Sequence, residues 1–211
     1  MTSLGGVHVS KVEKVNQRFL IEVERERLPE ALVMASRTFG VAWLAEASIA
    51  SLAYESIREG ALELAGEGRV AKKSSFRVDA RRANKQFPMN SHELSVRLGD
   101  DIRKATGLKV DLSGAELSLH VDVLDDRALV YTEKKKGPGG LPVGVSGKVI
   151  HLLSGGIDSP AAAWLMMKRG CTPIYLHFYV APDPKLVLET KIPKILRTLA
   201  KYSGKSTLIL L

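Results

Sequence analysis

The chain has 211 residues, enough for one large or two small domains, and an apolar share of 45%, ordinary for a globular protein. No apolar run approaches the roughly 18 residues of a membrane span, and no secretion signal opens the chain. A lone cysteine, Cys171, excludes an internal disulfide and any cysteine-rich metal site, so a cytoplasmic location without membrane attachment is expected. The formal charge of +8 is unevenly placed: residues 67–85 carry seven Lys/Arg against two acids, 133–148 four against one, and 149–211 eight against three. Local basic excess in a neutral background favours a polyanionic partner, and nucleic acid over membrane because no amphipathic basic helix is evident.

Two strands, Val7 to Val12 and Arg18 to Val23, are predicted around a turn at Asn16-Gln17. A helix opens at Pro29 and ends at Gly40, and Val41 to Ala47 reads as a third strand. Ser48 or Ser51 is expected to cap a helix running to about Leu64, closed by Gly66 and Gly68. Ser75 to Arg82 alternates Phe76, Val78 and Ala80 with Arg77, Asp79 and Arg81, a half-buried strand with a basic outer face. Ser91 is the expected cap of a helix carrying Leu94, Leu98 and Ile102, ended by Gly107. Glu116 to Leu124 and Ala128 to Thr132 form a hairpin across Asp125-Asp126. The run Gly137 to Pro142 reads as a linker and the main, more mobile domain boundary.

Beyond it, Val149 to Leu153 is a short strand and Pro160 to Met167 a helix with proline in its first turn. Between them lies Ser154-Gly155-Gly156-Ile157-Asp158-Ser159. The two glycines permit close backbone approach and positive φ, and the first amides of the helix lack intrahelical partners, so the turn suits phosphate. It is not a Walker A loop, which needs G-x-x-x-x-G-K-[ST]. A strand from Pro173 to Phe178 follows, then a helix with Pro193 inside its apolar pattern, which either kinks there or starts near Lys191. A last strand begins near Thr207.

SGGIDS resembles the PP-loop of the ATP pyrophosphatases. FRVDARRANKQFPMNSHELSVRLG (76–99) resembles the core of a THUMP domain, an RNA-binding module. YTEKKKGPGGLPVGVSGK (131–148) and HLLSGGIDSPAAAWLMMKRG (151–170) resemble the junction and the opening of a PP-loop catalytic domain. In this order the motifs resemble the tRNA 4-thiouridine synthetases, the ThiI family of tRNA sulfurtransferases.

The resemblance implies an α/β fold: an α+β part, ferredoxin-like over 1–66 and THUMP over 67–136 with a start that can reach back to 29, a linker at 137–147, and the first strands of a doubly wound parallel domain over 148–211. It implies adenylation of the C4 oxygen of uridine eight of tRNA with ATP and Mg²⁺, then displacement of AMP by sulfur from a persulfide donor charged by a cysteine desulfurase. Some members also supply sulfur for the thiamine thiazole. A homodimer is left open.

By motif match, Leu152, Leu153, Ser154, Gly155, Gly156, Asp158, Ser159, His177 and Phe178 are the nucleotide-binding candidates. Leu152 and Leu153 are expected to pack as core. Asp158 is the catalytic and Mg²⁺-binding candidate, with helix capping as its structural alternative. Lys72, Lys73, Arg77, Arg81, Arg82, Lys85, Lys134, Lys135 and Lys136 are the RNA-contact candidates; Phe87 near them is expected to be buried. Relative to the family pattern, both ends are expected to lack segments, among them those carrying the sulfur-handling cysteines. A non-catalytic RNA-binding module and a PP-loop enzyme with another substrate are the alternatives.

Overall fold

The computed structural model describes residues 2–4, 7–15, 18–66, 74–180 and 183–211. In chain order its first half contains β1 (Thr2–Leu4), β2 (Val7–Val9), β3 (Lys11–Val15), β4 (Arg18–Glu22), α1 (Leu28–Ala35), β5 (Trp43–Leu44), β6 (Ser48–Ala50), α2 (Tyr54–Gly66), β7 (Ser75–Arg82) and α3 (Ser91–Thr106). Then come β8 (Lys109–Val110), β9 (Leu117–Val123), β10 (Ala128–Tyr131), β11 (Lys135–Lys136), β12 (Lys148–Leu152), α4 (Asp158–Lys168), β13 (Thr172–His177), α5 (Ile192–Ser203) and β14 (Thr207–Leu210). The expected turn at Asn16-Gln17, the closing Gly68, and Lys72 and Lys73 lie outside the described residues.

The chain divides into two compact units, one of residues 45–134 and one of 1–44 with 135–211. In the first, β6-β10-β9-β7-β8 form a five-stranded sheet, antiparallel from β6 to β9 and parallel from β9 to β8. The alternation read from sequence sets its faces. Phe76 and Ala80 of β7 and Leu117, Leu119, Val121 and Val123 of β9 enter a core with Ile57 and Ala61 of α2 and Leu94, Leu98 and Ile102 of α3. The opposite face carries Arg77 beside Ser118, Asp79 beside His120, and Arg81 beside Asp122.

Four expectations change here. Ser48 caps nothing; it is a β6 residue paired with Val130, and Ser51 Oγ instead accepts from Ala53 N just ahead of α2. The third strand shrinks to Trp43–Leu44, because the chain leaves one sheet after Leu44 and enters another at Ser48. The boundary expected at 66 falls inside this unit, since β6 is its edge strand and α2 is part of its core. The cap of α3 is Asn90, one residue before Ser91. Asn90 Oδ1 accepts from Glu93 N at 3.0 Å and Glu93 Oε2 accepts from Asn90 N at 2.8 Å, a reciprocal capping box. Gly107, at φ +74°, ends the helix as expected.

In the other unit β12-β13-β14 form a parallel sheet, with α4 crossing from β12 to β13 and α5 from β13 to β14. Leu153, Ala163, Met167, Tyr175, Ile192 and Leu199 are buried together with Phe39. Alternate strand residues Ile150, Leu152 and Ile209 are exposed on the other sheet face. α5 starts at Ile192 with Pro193 in its first turn, which removes the need for a kink.

Residues 137–147, expected as a linker, are hydrogen-bonded on both sides. Gly137 N and Gly139 N donate to Ala42 O and Val41 O, and Gly40 N donates to Gly139 O. Leu141 N donates to Lys168 O, and Gly144 N and Ser146 N both donate to Gly170 O. The glycines serve close packing: a Cβ on Gly137 would overlap Val41 O, and one on Gly140 would overlap Lys168 O. The segment is a strap docked on the unit that contains α4.

Candidate functional site

The SGGIDS turn leaves β12 at the carboxyl end of the parallel sheet and enters α4, the place where open α/β sheets bind ligands. Ser159 Oγ closes it, accepting from Ser154 N at 2.9 Å and lying 3.2 Å from Ser154 O; Ser154 Oγ accepts from Gly156 N at 3.3 Å. His151 Nε2 donates to Ser159 O at 2.7 Å and holds the first turn of α4 against β12. The proton lies on Nε2 because a carbonyl can only accept.

The next strand contributes His177, whose Nδ1 donates to Leu153 O at 2.8 Å, while Leu153 N donates to Leu176 O. This leaves Nε2 of a neutral His177 as an acceptor. A cleft of about 360 Å³ is lined by Leu152, Leu153, Ser154, Gly155, Leu176, His177 and Phe178. All but Leu176 are sequence candidates. Leu153 is buried as expected, whereas Leu152 is 61% exposed. The strand alternation explains the difference: Leu153 shares the face covered by α4 and α5, and Leu152 shares the face of Ile150.

One further expectation is corrected at the glycines. Neither Gly155 nor Gly156 has positive φ. Gly155 instead provides close approach: a Cβ there would lie 2.5 Å from Lys191 Cε and 3.3 Å from its Nζ. At Gly156 a Cβ would meet only Ser154 Oγ, at an ordinary 3.5 Å.

Lys191, immediately before α5, is not among the sequence candidates. It sits within a helix-start pattern with no phosphate-loop signature, and only the fold of α5 back onto α4 lays it over the loop.

Asp158 is the first residue of α4 and is exposed. No side chain caps α4, whose preceding residue Ile157 is helical, and Asp158 makes no hydrogen bond or ion pair among the described residues. Capping therefore does not account for it. Among the described residues no group of three His, Cys, Asp or Glu converges as a metal cage. One free carboxylate at a phosphate-type loop fits a Mg²⁺ ion shared with nucleotide oxygens, which is how that ion is commonly held.

The basic candidates separate. Arg82 Nη1 donates to Phe87 O at 3.0 Å and Met89 O at 3.2 Å, so it braces the turn around the buried Phe87. Arg77 Nε donates to Ser118 Oγ at 2.9 Å. Arg81, 3.6 Å from Asp79, and Lys85 are exposed. Lys134 lies over the Tyr131 ring in one unit, while Lys135 and Lys136 form β11 with β5 in the other, so the lysine triplet is split between units. On the same sheet face Tyr131 Oη donates to buried Asp122 at 2.6 Å, and His120 Nδ1 meets Asp79 Oδ2 at 3.1 Å. Burial, then the Lys134 charge, hold the His120 imidazole below its ordinary pKa, against the opposing pull of Asp79. No described helix is long and apolar enough to cross a membrane.

Residues 53–133 match the THUMP domain family, and residues 144–211 match the family described as thiamine biosynthesis protein (ThiI). A probable tRNA sulfurtransferase of Thermococcus kodakarensis is 38% identical over 209 residues, which are 97% of this chain and 53% of that protein. The Thermus thermophilus counterpart is 37% identical, across 96% of this chain and 49% of that one. A 4-thiouridine synthetase–RNA complex with bound ATP superimposes with a TM-score of 0.85 at 31% identity, covering 98% of this chain and 53% of that one. PH1313 from Pyrococcus horikoshii gives 0.86 at 28% identity, across 97% and 69%. The chain spans about half the length of the sulfurtransferases it matches. A THUMP match followed by a ThiI match, with similarity across 97% of the chain to a probable tRNA sulfurtransferase, makes the chain similar to the tRNA sulfurtransferases (ThiI) over about half their length.

Proposed function

We propose that the chain supplies the tRNA-binding module and the ATP loop of a tRNA sulfurtransferase that makes 4-thiouridine at uridine eight. The observation that carries this reading is the cleft at the carboxyl ends of β12 and β13. It gathers Leu152, Leu153, Ser154, Gly155, His177 and Phe178 beside an uncapped helix N-terminus, an unpaired Asp158 and Lys191. The solved 4-thiouridine synthetase with RNA and ATP supports the ligand assignment.

In this reading the adenosine occupies the Leu152–Phe178 side of the cleft and the phosphates meet the loop amides. The uracil C4 oxygen attacks the α-phosphorus, the bond to the β-phosphate oxygen breaks, and pyrophosphate leaves. The outer sulfur of a persulfide (RS–SH) then attacks C4 and AMP departs, leaving an RS–S–C4 disulfide. A second thiol of the sulfur-transfer machinery attacks the RS sulfur, forming a new disulfide with it and releasing the thiocarbonyl. Asp158 would hold Mg²⁺, which offsets charge on the departing pyrophosphate. The Lys191 ammonium is placed to meet the same oxygens. The sulfur donor, the desulfurase that charges it and any role in thiazole synthesis belong to the same proposal, as does a cytoplasmic setting.

The test is tRNA-dependent AMP formation by the full-length protein. Asp158→Asn is expected to lower it by about 10²-fold or more with tRNA affinity intact. Near-normal AMP formation would remove Asp158 from the chemistry. The exposed apolar face of Ile150, Leu152 and Ile209 favours a second reading for the 211-residue chain alone, tRNA binding without turnover. ATP turnover by that chain would refute it.

A further inference from the structure

α5 is two-faced. Ile192 and Leu199 are buried, with Ile195, Leu196 and Tyr202 packed beside them, while Lys191, just before the helix, and Lys194, Arg197 and Lys201 are exposed. No acidic residue occurs from Lys191 to Leu211. At about 1.5 Å per residue the basic row extends about 15 Å. At one end Lys191 lies over Gly155 of the nucleotide loop. At the other, Arg197 and Lys201 line a cleft of about 500 Å³ together with Arg37, Thr38 and Tyr202.

Arg37 comes from a separate segment, the turn after α1. Three cations thus converge from two parts of the chain with no carboxylate in the lining. None of the three is in an ion pair among the described residues. The α5 dipole explains Lys201 in the last turn, but neither Arg197 earlier in the helix nor Arg37 outside it. The cleft wall is firm, because Tyr202 packs on Phe39 at 5.7 Å and Trp164 at 6.0 Å. Unpaired like charges brought together on a firm wall repel one another unless an anion is bound. Their spread along a helix face suits a chain of phosphates better than one small anion.

We propose that Arg37, Arg197 and Lys201 form a contact site for the phosphate backbone of RNA, and that Lys194 extends it toward the nucleotide loop. The site lies outside the THUMP domain and holds the stretch of RNA that is delivered to the adenylating cleft. It rests on tRNA being the substrate, as proposed above.

The test is tRNA binding by this chain from about 50 to about 200 mM salt, with ATP affinity and thermal melting measured alongside. Arg197→Glu with Lys201→Glu is expected to weaken tRNA binding by about tenfold or more and to make the salt slope shallower by about two, leaving ATP affinity and melting unchanged. Arg197→Lys with Lys201→Arg is expected to bind like wild type. Arg37→Glu, on the other segment, gives an independent reading if the double variant melts early. Wild-type tRNA affinity and slope in a folded reversal variant would overturn the site. So would a cleft whose reversal weakens tripolyphosphate binding and not tRNA binding. Absence of tRNA binding by the wild-type chain would instead overturn the substrate assignment beneath it.

Discussion

Gly140→Ala separates a docked strap from a flexible linker, because the two predict opposite signs. In a linker, alanine reduces the freedom of the unfolded chain and stabilises by about 0.4–1 kcal/mol. In the strap, Gly140 has φ +78°, which costs a Cβ-bearing residue about 1–2 kcal/mol. The new Cβ would also overlap Lys168 O, a backbone atom that cannot swing aside as a side chain can. Relief requires the strap to lift, which loses the Leu141 N to Lys168 O bond, about 1 kcal/mol more. The net expectation is a loss of about 2–3 kcal/mol in the unit containing α4, or about 5–10 °C in its melting temperature at the scaling for chains of this size. Thermal melting followed by Trp164 fluorescence reports on that unit, because Trp164 packs on its buried Phe39. Limited proteolysis is expected to cut the variant within 137–147 faster than wild type. An unchanged or raised melting temperature, with equal cleavage, would refute the strap.

Gly155→Ala carries no φ penalty and meets only the flexible end of Lys191, so stability is expected to stay within about 0.5 kcal/mol while ATP affinity falls; isothermal titration and melting on one sample check both. Arg82→Ala is expected to cost about 2 kcal/mol through the lost carbonyl bonds at Phe87 and Met89, whereas the exposed Arg81→Ala costs under about 0.5 kcal/mol and acts on tRNA affinity and its salt slope; melting and filter binding tell them apart. His120 has a folded-state pKa below its unfolded value, so the unfolded chain binds the extra proton first and stability falls as pH drops through about 6.5. Denaturant midpoints at pH 7.5 and pH 5.5 are expected to differ in wild type and to converge in His120→Gln; equal differences in both would refute the assignment.

Local chemistry was legible without the fold. The 2-residue period of Phe76, Val78 and Ala80 and of Leu117 to Val123 marks strands with one buried face, since side-chain direction in a strand depends only on parity. Gly107 and Pro160 declare a helix end and a helix start through backbone constraints that act within a few residues. What depends on distant partners was not legible. Arg81 and Arg82 look alike in the sequence, and only the turn at 83–90 brings two carbonyls to one of them. Leu152 and Leu153 look like equal core, and only the helices on one sheet face bury the second. A glycine-rich stretch reads as freedom, yet between residues 40–42 and 168–170 the missing Cβ is what lets backbones touch. The approach of Lys191 to Gly155 and the convergence of Arg37 with Arg197 and Lys201 join residues far apart in the chain, so tertiary packing alone decides them.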